Sequence, residues 1–205
     1  MRHAADAYFT PDGLAEACLL ATVRMFCDNG RRCPGWMLEP CAGNGAFGRA
    51  AVRLWGPEVR GCDIADHDPG YPFDLCDFVE WVPEKQLYTI IATNPPYRGI
   101  RQTLEDFRAF QRRQAMPALA GGNPPILGLL LRETMTAALV ASADRPAAIF
   151  TTDQRPKWGG PGGMQHKSGD TCGAIFAVWP DLAPLAPDQP VRVYSLPDWR
   201  PRGRR

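Results

Sequence analysis

Residues 39–48 read Glu-Pro-Cys-Ala-Gly-Asn-Gly-Ala-Phe-Gly, and the last six fit the spacing G-x-G-x-x-G. Glycines so placed let a backbone turn tightly and approach a nucleotide where a helix begins. Asp63 follows about twenty residues on, where an acid can hold ribose hydroxyls. Glu39 separates the possible nucleotides. A carboxylate four residues before Gly43 would repel a pyrophosphate and favour a ligand carrying a positive sulfonium and an amino group. The loop therefore points to S-adenosylmethionine rather than NAD. A second stretch, Thr93-Asn94-Pro95-Pro96-Tyr97, directly follows the apolar run 87–92. An amide oxygen, a carbonyl on proline-fixed backbone and an aromatic ring could together hold and stack on a polar aromatic substrate.

The elements that must position these residues are readable from pattern. Thr10-Pro11-Asp12 has the form of a helix start with threonine as cap. Leu14, Cys18, Leu19, Thr22, Val23 and Phe26 then recur at helical spacing until Asn29-Gly30. Trp36–Leu38 is a short strand entering the glycine loop, Ala46–Leu54 the helix leaving it, and Val59–Asp63 a second strand. Tyr71–Asp74 reads as a third strand, with Phe78-Val79 opening a helix. Leu87–Ala92 has the continuous apolar character of a buried parallel strand. Helices over Ile100–Met116 and Arg132–Ser142 alternate with strands Ile126–Leu131 and Ala147–Thr151. Ala174–Trp179 and Val191–Tyr194 have no room for a helix between them, which predicts an antiparallel ending. This order predicts a doubly wound Rossmann-like α/β sheet, mostly parallel with an antiparallel C-terminal hairpin. The ligand is expected at the carboxyl ends of the strands.

At 205 residues the chain suits a single domain, here residues 1–196, with a basic C-terminal tail 197–205. The net charge of +1 excludes neither nucleic acid nor a small molecule as partner. Charge is nevertheless uneven: residues 98–113 carry five arginines against two acids. Seven cysteines, without any C-x-x-C pair, read as buried thiols in a reducing compartment, with no disulfide or metal site expected. No secretory signal or membrane-length apolar run is visible, so the cytoplasm is the expected location. His3 and His67 suggest no role, and His166 lies in the loop Lys157–Gly173, where six glycines predict mobility.

Taken together, the motifs resemble those of the class I S-adenosylmethionine-dependent amino-methyltransferases, specifically the adenine-type DNA methyltransferases. Phe9-Thr10-Pro11 is similar to the family's N-terminal cofactor motif, and Glu39, Pro40, Cys41, Ala42, Gly43 and Gly45 to its glycine loop. Asn94-Pro95-Pro96-Tyr97 is similar to its catalytic tetrapeptide. Arg155-Pro156-Lys157-Trp158, with Asp170 and Ala177-Val178-Trp179, resembles a later segment of small phage-borne members. The likeness covers most of residues 8–180.

The resemblance implies N6-methylation of a flipped-out adenine in DNA, with a short or relaxed target sequence. It implies cofactor contacts from Asp63 and Ile64, from Asn94, and from an acid-aromatic pair. Asp77-Phe78 fits that pair, with Asp74 as a competing position and Cys76 where the family often has glycine. In this reading Asn94 and Pro95 accept the two amine hydrogens, and Tyr97 stacks on the base. Arg98, Arg101, Arg112, Arg113, Arg155, Lys157 and Lys167 are the candidate phosphate contacts. The helix carrying Arg101, Arg108, Arg112 and Arg113 reads otherwise as a solvated face. Cytosine N4, an RNA adenine or a protein glutamine amide would suit the same site. A non-catalytic cofactor-binding subunit is the alternative from another class. A partner subunit or second copy could supply target recognition.

Overall fold

The computed structural model describes residues 9–27, 35–56, 58–83, 88–96, 100–115, 124–152, 156, 158 and 173–196. Eight strands form one sheet in the order β3-β2-β1-β4-β5-β7-β6-β8. They are β1 (Trp36–Pro40), β2 (Glu58–Asp63), β3 (Phe73–Leu75), β4 (Tyr88–Thr93), β5 (Ile126–Arg132), β6 (Ala148–Thr151), β7 (Ala174–Trp179) and β8 (Arg192–Ser195). The helices are α1 (Asp12–Phe26), α2 (Ala46–Trp55), α3 (Ile100–Ala115) and α4 (Thr136–Ala141), the last entered through a 3-10 turn over Glu133–Met135. β1 pairs in parallel with β2 and β4, β2 with β3, and β4 with β5. The strand order reverses beside β1, so a crevice opens between the ends of β1 and β4.

Both sheet faces are covered, which is why the central strands are apolar on both sides. On one face α1 and α2 contribute Leu14, Cys18, Leu19, Phe26 and Phe47 to a core with Met37, Ile90, Leu130 and Phe176. On the other, α3 contributes Phe107 and Phe110, which join Phe78, Trp81, Leu38, Ile91 and Leu129. Phe78 stacks on Phe107 at 4.2 Å, and Trp81 on Phe110 at 5.9 Å. Gly128 is fixed by close approach: a Cβ there would stand 2.3 Å from the ring of Phe176.

The predicted doubly wound, mostly parallel sheet is the observed one, and four local expectations change. First, β7 is the antiparallel strand, paired with both β5 and β6. β8 runs opposite to β7 as expected but pairs in parallel with β6, which lies between them. Second, Pro11 rather than Thr10 caps α1; its carbonyl accepts from Leu14 and Ala15 at 3.0 and 3.1 Å, and no side chain caps the helix. Third, Phe78–Glu80 is a turn, closed by Glu80 N–H donating to Asp77 at 3.0 Å, because the aromatic side chains pull the chain down along α3. Fourth, Arg108 is not on a solvated face. It is 3% exposed and donates to Asp144 and to the carbonyls of Asp181 and Leu182.

Among the described residues no helix is long and apolar enough to cross a membrane. The loop over 157–173 apart from Trp158 and Gly173, the tail 197–205, His3 and His166 lie outside the described residues.

Candidate active site

β1 delivers the glycine loop. The ladder to β2 continues one bond past the strand, Ala42 N–H donating to Cys62 at 2.9 Å. The chain then turns through three left-handed residues, Cys41 at φ 58°, Gly43 at φ 53° and Gly45 at φ 76°. Gly45 is required twice over: its φ suits glycine, and a Cβ would stand 2.4 Å from the carbonyl oxygen of Pro69. It is also the N-cap of α2 and has no side chain with which to cap it. Glu39 does that work from the preceding strand. Its carboxylate accepts from the backbone N–H groups of Phe47 at 3.0 Å and Gly48 at 2.6 Å, and from the hydroxyl of Tyr71. The third glycine of the motif makes room for this, since a Cβ at Gly48 would meet the Tyr71 ring at 2.3 Å.

Glu39 is 2% exposed. Burial pushes its carboxyl up to about 7, against the lowering effects of the bonds from Tyr71, Gly48 and Phe47 and of the Arg49 charge. Two first-turn N–H groups of α2, those of Phe47 and Gly48, are therefore already taken by a protein carboxyl group at the place where a dinucleotide fold binds pyrophosphate. Sequence reasoning singled out the acid, for the repulsion its charge would exert on a pyrophosphate, and not its bonds to the first turn of α2. It missed Tyr71, which lies 32 residues away and carries no spacing signal.

Asp63 ends β2 and is 3% exposed. It accepts from Gly43 N–H at 2.9 Å and Ile64 N–H at 2.7 Å, fixing the glycine loop to the neighbouring strand. Ile64, beside it, is exposed. Across the crevice, β4 ends at Thr93, whose hydroxyl donates to the Cys41 carbonyl at 3.3 Å. That bond ties the glycine loop to the strand that carries Asn94. Asn94 is half-buried, Pro95 buried and Pro96 half-buried. Tyr97 and Arg98 lie outside the described residues, as do Arg155, Lys157 and Lys167.

Phe9 lies against the loop, its ring 3.6 Å from where a Cβ of Gly43 would stand; Thr10 is buried and Pro11 half-buried. Of the two acids weighed for the acid-aromatic pair, Asp74 accepts from the indole N–H of Trp81 at 2.8 Å, whereas Asp77 is exposed and accepts from Val79 N–H at 3.0 Å in a local turn. Phe78 is 7% exposed, with its face on Phe107. Arg101 is exposed on the first turn of α3, at the Asn94 end. Arg112 and Arg113 are exposed in the last turn, eleven residues further and so about 16 Å away along the axis. Burial pushes the thiols of Cys18 and Cys62 well above the ordinary range, so neither is a thiolate nucleophile. Among the described residues no group of three or more His, Cys, Asp or Glu could hold a metal ion.

No family model and no curated protein matches the chain. Among solved structures it is similar to a putative RNA methyltransferase from Pyrococcus horikoshii, with 12% identity and a TM-score of 0.57 over 88% of this chain and 90% of that one. It is also similar to the 1,6-didemethyltoxoflavin-N1-methyltransferase of Burkholderia thailandensis, solved with bound 1,6-didemethyltoxoflavin and S-adenosylhomocysteine; identity is 14% and TM-score 0.51, over 80% and 79% of the two chains. The chain spans about half the length of the plantazolicin methyltransferase BpumL (51% of it, against 63% of this chain), at 13% identity and a TM-score of 0.45. At these identities the likeness is one of fold: the sheet is Rossmann-like, and the two proteins that share it are methyltransferases.

Proposed function

We propose that the protein is an S-adenosylmethionine-dependent methyltransferase acting on the exocyclic amine of adenine in DNA. The observation that carries this reading is the Thr93–Cys41 bond, which ties the glycine loop to the end of β4, the strand that leads into Asn94-Pro95. Methyl transfer to an amine needs a cofactor site and a pair of amine acceptors side by side, and these elements supply both.

The residues fit the cofactor. Glu39 takes the helix N–H groups that a pyrophosphate would need, so a ligand without phosphates is favoured. Asp63, held by the backbone amides of Gly43, Ile64 and Ala65, is a carboxylate suited to ribose hydroxyls. Gly43 presents bare backbone with the Phe9 ring packed beside it, 3.6 Å from where a Cβ would stand. Asp77, exposed beyond β3, is better placed than the engaged Asp74 for an adenine amine. In this assignment Glu39 is a positioning residue that shapes the loop, and Phe78 acts through the core on which it stacks. S-adenosylmethionine would supply a methyl group on positively charged sulfur.

The chain's own part concerns the amine. An adenine amino group shares its lone pair with the ring and is a weak nucleophile. The Asn94 side-chain oxygen and the Pro95 carbonyl accept its hydrogens and draw the nitrogen toward a tetrahedral form, freeing the lone pair. Proline fixes this backbone in advance, and positioning supplies much of the rate. The methylated amine is cationic and loses its proton to water, so no general base is needed. Adenine and DNA are assigned from the tetrapeptide Asn94–Tyr97 and its likeness to the adenine-type enzymes; Tyr97 would stack on the flipped base.

Calorimetry tests the cofactor half. The protein should bind S-adenosylhomocysteine and not NAD, and Asp63→Ala should weaken that binding by about 1–3 kcal/mol. Binding of NAD alone would overturn the reading.

A further inference from the structure

The loop between β2 and β3, residues 64–72, folds back over the glycine loop at three points. Tyr71 bonds to Glu39 and closes on Gly48 and Gly61. Pro69 is buried, with its carbonyl in the space beside Gly45 and 3.5 Å from the Arg49 guanidinium. His67 makes the third contact. Its ring meets that of Phe9 edge-to-face, with centroids 5.3 Å apart and planes at 69°. Phe9 in turn lies against Gly43. The bend that brings His67 there is built in: Asp68 and Gly70 adopt left-handed φ of 51° and 82°, and Asp68 N–H donates to Asp66 at 2.9 Å.

We propose that His67 is a positioning residue for the cofactor, bracing Phe9 against Gly43 so that this wall of the site is formed before S-adenosylmethionine arrives. The inference rests on the cofactor assignment above and goes beyond it in giving His67 a role. Phe9 enters from the segment before α1, two residues ahead of the helix cap. Without the imidazole edge its ring would have to be ordered at the moment of binding, a cost that appears as lost affinity. An aromatic pair of this geometry is worth roughly two- to tenfold in an equilibrium constant.

The test is a double-mutant cycle read by calorimetry with S-adenosylhomocysteine, using the wild type, His67→Ala, Phe9→Leu and the double variant. Each single change should weaken binding two- to tenfold, and adding His67→Ala to Phe9→Leu should cost nothing more. His67→Phe, which keeps a ring edge, should restore affinity to within twofold. In turnover, His67→Ala should raise the cofactor KM and leave kcat unchanged. Wild-type affinity in His67→Ala, or strictly additive losses, would overturn the proposal while the cofactor assignment stands. A wild-type protein that does not bind S-adenosylhomocysteine would overturn both.

Discussion

The hydroxyl of Thr93 and the carbonyl of Cys41 meet at 3.3 Å, joining the last residue of β4 to the first residue after β1. One side-chain hydrogen bond thus adds to the β1–β4 pairing a direct link between the glycine loop and the strand that leads into Asn94. Thr93→Val keeps the shape and removes the donor. It should cost about 1 kcal/mol of stability and lower turnover more than it lowers cofactor affinity. Unchanged kcat would show that the sheet alone holds that spacing.

Glu39 makes stability depend on pH in a stated direction. Its carboxyl is raised in the folded state from 4.5 to about 7, chiefly by burial. Below pH 4.5 both folded and unfolded chains hold the proton, and the group's contribution is fully present. Between 4.5 and 7 the unfolded chain loses a proton the folded chain keeps, so stability falls by up to about 3 kcal/mol and then levels off. Glu39→Gln should show a constant offset from its lost acceptor and lack this slope. Parallel denaturation midpoints for the two proteins across pH 4.5–7 would contradict the burial argument.

Gly45→Ala should be far more damaging than Gly56→Ala, although both positions have positive φ. Gly56, with φ 64°, has open space around it, so a methyl group costs only conformational strain, about 1 kcal/mol. At Gly45 the methyl group also meets Pro69 at 2.4 Å. Thermal unfolding should show a loss at least twice as large, together with loss of S-adenosylhomocysteine binding. Equal losses at the two positions would mean that loop 64–72 yields easily.

The arginines of α3 divide by position. Arg101 shares the Asn94 end, and Arg112 and Arg113 lie about 16 Å away. If all three meet DNA phosphates, Arg112→Glu with Arg113→Glu should weaken binding alike on every sequence and flatten its salt dependence. Cofactor affinity should stay unchanged. An unaltered salt slope would remove that end of α3 from the interface.

The glycine loop, Asp63 and most of the strands were legible because their signals are local: glycine spacing, an acid at a strand end, short apolar runs bounded by turns. Four features were not. Tyr71 bonds to Glu39 through a contact that only the closed sheet creates. β8 passes β7 to join β6, and nothing in Arg192–Ser195 encodes that partner. Phe78 and Trp81 spend their rings on α3, which overrides the helix start read there. Arg108 was read by its charge, yet it shares a helical stripe with Leu104, Phe107, Gln111 and Ala115, and that spacing could have shown it to be buried. The tetrapeptide was legible as residues, and its position beside the glycine loop came from the order of β1 and β4.

The central claim is the identity of the methyl acceptor. The most direct measurement incubates the protein with mixed-sequence DNA and S-adenosylmethionine labelled in its methyl group, then digests the DNA and identifies the labelled nucleoside by mass spectrometry. Label should appear in N6-methyladenine, in a short or relaxed sequence context, and should fall by on the order of 100-fold or more with Asn94→Ala. Label in cytosine, no label in DNA, or undiminished labelling by Asn94→Ala would contradict that claim.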